Sequence, residues 1–123
     1  MTAQAHPIGW FEIAGEDRTK TEEFYAAAFN WTFSDSPMGP EYRFADAGDG
    51  VPGAVAIAAP GMPTSYAMFS IMVPDVADSC RRVTELGGKV LLGPESIPDS
   101  GLTFANLEDP NGNIIGVFAP PAT

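Results

Sequence analysis

The sequence predicts an α+β fold in which a βαβββ module occurs twice. Three observations carry this expectation. Short runs rich in β-branched and aromatic residues surround only two helical stretches. The order strand, helix, strand, strand, strand occurs twice, offset by about 60 residues. Between the copies lies Ala59-Pro60-Gly61-Met62-Pro63-Thr64, in which proline and glycine rule out continued regular structure.

In the first copy, Ile8 to Ile13 reads as a strand, and residues 14–18 lead into a helix near Thr19. Thr19 followed by Glu22 fits a capping box. Phe24, Ala28 and Trp31 fall on one helical face with Tyr25 and Phe29 beside them, which predicts a buried stripe. Asn30 to Phe33, Glu41 to Phe44 and Ala54 to Ile57 follow as strands, separated by turns at residues 38–40 and 48–53. In the second copy, Tyr66 to Val73 is a strand. Asp75 is a good N-cap for a helix through Leu86, which Gly87-Gly88 ends. Val76, Cys80 and Val83 mark its buried stripe. Val90 to Leu92, Leu102 to Glu108 and Ile114 to Phe118 are the last three strands, with Asp109-Pro110-Asn111-Gly112 as the closing turn. The organisation is one domain over 1–123, with module 1 at about 6–58, a linker at 59–64 and module 2 at about 65–119.

Side-chain alternation separates two faces of each strand. Phe11, Ile13, Phe69, Ile71, Val73, Ala105, Leu107, Ile115 and Val117 make an apolar set suited to packing against helices. The opposite set mixes apolar residues (Trp10, Met68, Phe104, Phe118) with isolated polar ones, Glu12, Ser70 and Asn106. That pattern is either a small-molecule cavity or a strand face half open to solvent.

Composition narrows the partners. Sixteen acidic residues against six basic ones give a net charge of −10, which repels nucleic acid and anionic membranes and favours cationic partners. No apolar run approaches the roughly 20 residues that span a bilayer, and residues 1–7 lack the basic and apolar regions of a signal peptide. A cytoplasmic location is expected. One cysteine and one histidine exclude a Cys/His zinc cluster. His6 and Glu12 stand about 20 Å apart along a strand, too far to share an ion. Cys80 has no histidine near it in sequence, and Ser70 has no nucleophile elbow around it.

Gly9-Trp10-Phe11-Glu12-Ile13, Phe24-Tyr25, Phe29-Asn30-Trp31, Leu86-Gly87-Gly88-Lys89-Val90 and Asp109-Pro110-Asn111-Gly112-Asn113 occur in an order that spans nearly the whole chain. Together they resemble small single-chain members of the vicinal-oxygen-chelate superfamily, which includes glyoxalases, bleomycin-resistance proteins and extradiol dioxygenases. The resemblance implies that the two βαβββ modules form a cupped mixed β-sheet with the helices on its outer face, and that metal ligands stand on the first, fourth, fifth and eighth strands. Here those places hold Trp10, a residue within the apolar segment 53–57, Met68 and Gly116, none of which supplies an imidazole, carboxylate or thiolate. The expectation is therefore no metal, no cofactor and no catalytic residue.

By that resemblance the chain binds or sequesters a small cationic or aromatic molecule in an apolar cup, as bleomycin-resistance proteins do, and forms a homodimer. The expected ligand-binding residues are Trp10, Glu12, Tyr42, Phe44, Met68, Ser70, Phe104, Asn106, Gly116 and Phe118. Glu12 is open to three readings: an anchor for a cation, a general base, or a hydrogen-bonded structural carboxylate. Two alternatives stand beside binding. One is a glyoxalase, lyase or other enzyme of the same superfamily with a non-standard or absent metal site; the other is a non-catalytic interaction module.

Overall fold

A computed structural model describes residues 4–121, so the amino-terminal reading of residues 1–3 lies outside it. The elements run β1 (Ile8–Gly15), α1 (Arg18–Phe29), β2 (Thr32–Ser34), β3 (Tyr42–Asp46), β4 (Gly53–Ile57), β5 (Tyr66–Met72), α2 (Val76–Glu85), β6 (Lys89–Ser96), β7 (Thr103–Glu108) and β8 (Ile114–Ala119). This is the βαβββ order twice over, and the fold is α+β. The chain divides into two compact units. The first is Trp10–Met68; the second takes the amino-terminal residues up to Gly9 and the chain from Phe69 on.

In the first unit the strand order is β2-β3-β4-β1. β1 lies parallel to β4, whereas β2-β3 and β3-β4 are antiparallel. Its buried residues are mostly small: Ala14, Ala45, Ala54, Val55 and Ala56. Gly53 is required by space, because a Cβ there would stand 2.3 Å from the Phe11 ring.

The start of α1 differs from the capping-box expectation. Asp17, not Thr19, is the N-cap: its backbone is extended and its carboxylate accepts the Lys20 N–H at 3.1 Å. The expected partner of Thr19, Glu22, is instead held by Arg18 and Arg43, and Arg43 also binds Asp35. A carboxylate complements the helix dipole better than a hydroxyl does, so Asp17 takes the cap.

The stripe expected on α1 is not buried, and none of its residues is. Phe24 and Phe29 are each 59% exposed. The physical reason is that the aromatics pack on one another. Phe24 meets Tyr25 edge-on at 5.0 Å, and Tyr25 stacks on Trp31 at 4.8 Å. Trp31 lies beyond the helix and reaches Phe11 at 5.4 Å. Asn30, placed in the strand by sequence, adopts φ 63 as the C-cap and delays β2 to Thr32. Asparagine tolerates that left-handed conformation well.

The second unit repeats the plan with the order β5-β8-β7-β6, β5 parallel to β8 and the other pairs antiparallel. Asp75 caps α2 as expected, accepting from the Asp78 N–H at 3.1 Å. The helix lays Val76, Cys80 and Val83 on Ile71, Val73, Ala105, Leu107, Ile115 and Val117, with Ala119 completing the core. Phe69 shares their parity but is 42% exposed, so the packed row begins at Ile71.

Gly87 ends the helix with φ 95, and a Cβ on Gly88 would meet the Glu108 carbonyl oxygen at 2.6 Å. β6 extends to Ser96, well past the predicted Leu92; register shifts at Val90/Leu92 and Leu92/Glu95 let it turn along β7. The closing turn is as read. Gly112 N–H bonds to the Asp109 carbonyl, and the Asp109 carboxylate accepts from the backbone of Asn111 and Asn113. These bonds and the Asn113 amide hold its pKa below the usual carboxylate value.

Candidate functional site

β1 and β3 flank β4 in the first unit, and their register sets the site. Glu12 pairs with Ala54, which pairs in turn with Phe44. Residues opposite one another in a ladder share a face, so Glu12 and Phe44 stand on one side of the sheet with Ala54 between them. Trp10 and Tyr42 belong to the same side by alternation. The low alanine floor lets the flanking aromatic side chains converge above it.

Four aromatic residues gather around the one carboxylate. The Trp10 indole N–H donates to the Tyr42 hydroxyl at 3.0 Å. The Tyr66 hydroxyl donates to Glu12 Oε2 at 3.1 Å, and the Tyr42 hydroxyl stands near enough to Glu12 for each to shift the other's pKa. Trp10 and Phe44 meet edge to face, with ring centroids 6.0 Å apart and planes at 80°. Burial pushes the Glu12 carboxyl above its ordinary pKa, and the two phenols offset only part of that rise. Tyr42 and Tyr66 are both raised, first by burial and then by the Glu12 charge, so both remain neutral phenols. Among the described residues no cation forms an ion pair with Glu12.

Five of the ten sequence-predicted residues therefore fall in this unit. Trp10, Glu12, Tyr42 and Phe44 come together, and Met68 is buried on β5. Tyr66 joins the cluster through its bond to Glu12 and is absent from the ten residues the sequence suggested. It shares strand parity with Met68, and a phenol on that face opposite Glu12 was the available signal.

The other five belong to the second unit. Ser70 pairs with Gly116, which pairs with Asn106, while Phe118 pairs with Phe104. The row sits on the side away from α2, and Ser70 and Asn106 are 7% and 5% exposed. Two buried polar side chains thus flank a residue with none.

Metal chemistry can be tested on the donors present. Trp10, Met68, Gly116 and the segment Gly53–Ile57 supply no ligating group, and among the described residues no three His, Cys, Asp or Glu side chains group to hold an ion. The family's metal does not fit these positions. Cys80 is a core thiol whose pKa burial raises, the reverse of an activated nucleophile. An open cleft of about 390 Å³ beside the start of α1, lined by Asp17, Arg18, Pro40, Glu41 and Ile57, shares no residue with the Glu12 cluster. No helix among the described residues is long and apolar enough to cross a membrane.

A repeated βαβββ unit whose first strand runs parallel to its last, with a polar group set among aromatics on the sheet, defines a recognisable class. The chain belongs to the Glyoxalase/Bleomycin resistance protein/Dioxygenase superfamily, whose family model matches residues 7–117. Solved structures agree on the fold. A superfamily member from Vibrio splendidus 12B01 is similar at 16% identity and TM-score 0.65, over 94% of this chain and 99% of that one. Methylmalonyl-CoA epimerase from Mycobacterium tuberculosis is similar at 13% identity and TM-score 0.64, over 99% and 94% of the two chains. The Streptomyces coelicolor epimerase in complex with 2-nitronate-propionyl-CoA is similar at 18% identity and TM-score 0.59, over 97% and 100%.

Proposed function

We propose that this chain binds a small cationic molecule, aromatic in part, at the Glu12 cluster, and that Glu12 is its ionic anchor. The observation that carries this reading is the state of Glu12. It is a partly buried carboxylate that receives only a neutral phenol donor and has no ion-pair partner among the described residues. A buried carboxylate with hydrogen bonds but no counter-charge is costly to ionise, and an ammonium ion supplies the missing charge. Trp10, Tyr42, Phe44 and Tyr66 add the ring faces that attract cations. The net charge of −10 draws such a ligand toward the surface. Bleomycin resistance, named in the family's description, is one activity of this kind.

The test is calorimetric titration with benzylammonium, benzyltrimethylammonium and neutral benzyl alcohol. Binding of the two cations in preference to the alcohol, lost in Glu12→Gln, is the expected result. Equal binding of all three would defeat the proposal.

One observation favours a second reading, catalysis by proton transfer. A carboxyl raised toward neutrality is suited to a general base, and the epimerases share the fold. Glu12-dependent wash-in of solvent deuterium at a carbon acid such as a 2-substituted acyl thioester would support it. Absence of wash-in alongside cation binding would leave the binding reading alone.

A further inference from the structure

We propose that the Glu12 cluster selects an N-methylated ammonium ion, above all a quaternary one, over a primary amine; this rests on the cation-binding reading above. The reason lies in where the cluster's polar hydrogens point. The Trp10 N–H goes to the Tyr42 hydroxyl and the Tyr66 O–H to Glu12 Oε2. The Tyr42 hydroxyl serves as the acceptor for Trp10. The indole N–H and the Tyr66 O–H therefore both close on another member of the cluster, and part of Glu12's acceptor capacity is taken by the Tyr66 phenol. What remains for a ligand is the Glu12 charge and the aromatic rings beside it.

A primary ammonium carries three N–H donors and must replace the water it sheds with acceptors. Here few remain. A trimethylammonium has no N–H to satisfy, spreads its charge over its methyl groups, and is held by aromatic faces beside a carboxylate. Trp10 and Phe44 set their planes at 80° to one another, two walls of a corner. Tyr42 and Tyr66 stand on the carboxylate. Ala54, fully buried between Glu12 and Phe44, places no bulk on the floor.

The chemistry is tested by the ratio of affinities of the full chain for benzyltrimethylammonium and benzylammonium, with benzyl alcohol as the neutral control. The expected ratio is roughly tenfold in favour of the quaternary ion. Two variants report on the mechanism. Phe44→Leu removes a ring and no hydrogen-bonding group, so both cations lose affinity, the quaternary ion by more, and the ratio falls toward one. Tyr66→Phe removes a phenol donor and opens an acceptor on Glu12, so benzylammonium gains relative to the quaternary ion. Because each ratio is taken on one preparation, loss of folded protein lowers both affinities together and leaves it unmoved. Benzylammonium binding as tightly as benzyltrimethylammonium would overturn the selectivity and leave the cation anchor standing, as would a ratio indifferent to both variants. Neither cation binding better than benzyl alcohol would remove the anchor and the selectivity together.

Discussion

Replacing Glu12 by Gln removes one charge while keeping the side chain's length and an acceptor for the Tyr66 phenol. If an ammonium ligand sits on this carboxylate, the loss is that of a charge-assisted interaction, about 1.5–3 kcal/mol net of dehydration. Since 1.4 kcal/mol is tenfold, the affinity should fall roughly 10- to 150-fold. The pH profile adds a signature that simple loss of affinity lacks. Burial raises the Glu12 pKa from its ordinary 4.5, so below the raised value the empty site holds a proton that a cationic ligand must expel. The association constant should then rise by up to tenfold per pH unit until the raised pKa is passed, and level off above it. Titrations of benzyltrimethylammonium at constant ionic strength between pH 4.5 and 8 measure this directly, because a quaternary ion has no proton of its own to lose. Glu12→Gln should flatten the profile as well as lower it. An affinity that is independent of pH in the native chain, or a slope that survives in Glu12→Gln, would show that the cation is held elsewhere.

The same group governs stability in the opposite sense to an ion-paired acid. A carboxyl whose folded pKa is raised binds more protons in the native state than in the unfolded one, so stability falls as pH rises above about 4.5 and stays reduced once the raised pKa is passed. Without ligand, Glu12→Gln should therefore melt higher than the native chain at pH 7 and equally at pH 4; a lower melting point at pH 7 would contradict the burial argument. Asp17→Ala should cost about 1 kcal/mol in chemical denaturation and Thr19→Ala less than about 0.5, which separates the observed cap from the capping-box alternative. Gly53→Ala and Gly88→Ala should each cost roughly 1–3 kcal/mol, the first by displacing Phe11 and the second by pressing on the Glu108 carbonyl. Leu107→Ala in the fully buried core should cost about 2–5 kcal/mol, whereas Phe24→Ala on the exposed side of α1 should cost clearly less.

Periodicity made much of the fold legible. Strand parity placed Glu12 and Trp10 on one face, and Ala105, Leu107 and Val117 on the other, because alternation is a property of a single strand. Asp75 and Gly87 were readable for the same reason, since a cap is decided within a few residues of itself. The misreadings arose where two local rules competed, or where partners came from afar. Thr19-x-x-Glu22 has the form of a capping box, but Glu22 is claimed by Arg43 from 21 residues away, and Asp17 offers the stronger cap. The apolar run of α1 has helical spacing, yet its rings settle on Trp31 and on each other rather than in a core.

The site shows the same division more sharply. Glu12 stood out as a carboxylate on an aromatic face, but the sequence carries no sign of what would hold it. Tyr66 lies 54 residues away, and Trp10 and Tyr42 are separated by 32. Only the ladder positions of β1, β3 and β4 bring Tyr42 and Phe44 to the carboxylate's side of the sheet. Such distant contacts change the question asked of the residue. Alone, Glu12 reads as an anchor or a structural carboxylate ahead of a base. Once the Tyr66 phenol occupies part of its acceptor capacity and burial raises its pKa, it becomes an acid that gains most from a counter-ion needing few hydrogen bonds. The specificity argument therefore rests on the network around Glu12, which is why Tyr66→Phe and Phe44→Leu, neither of which touches the charge, are the informative variants.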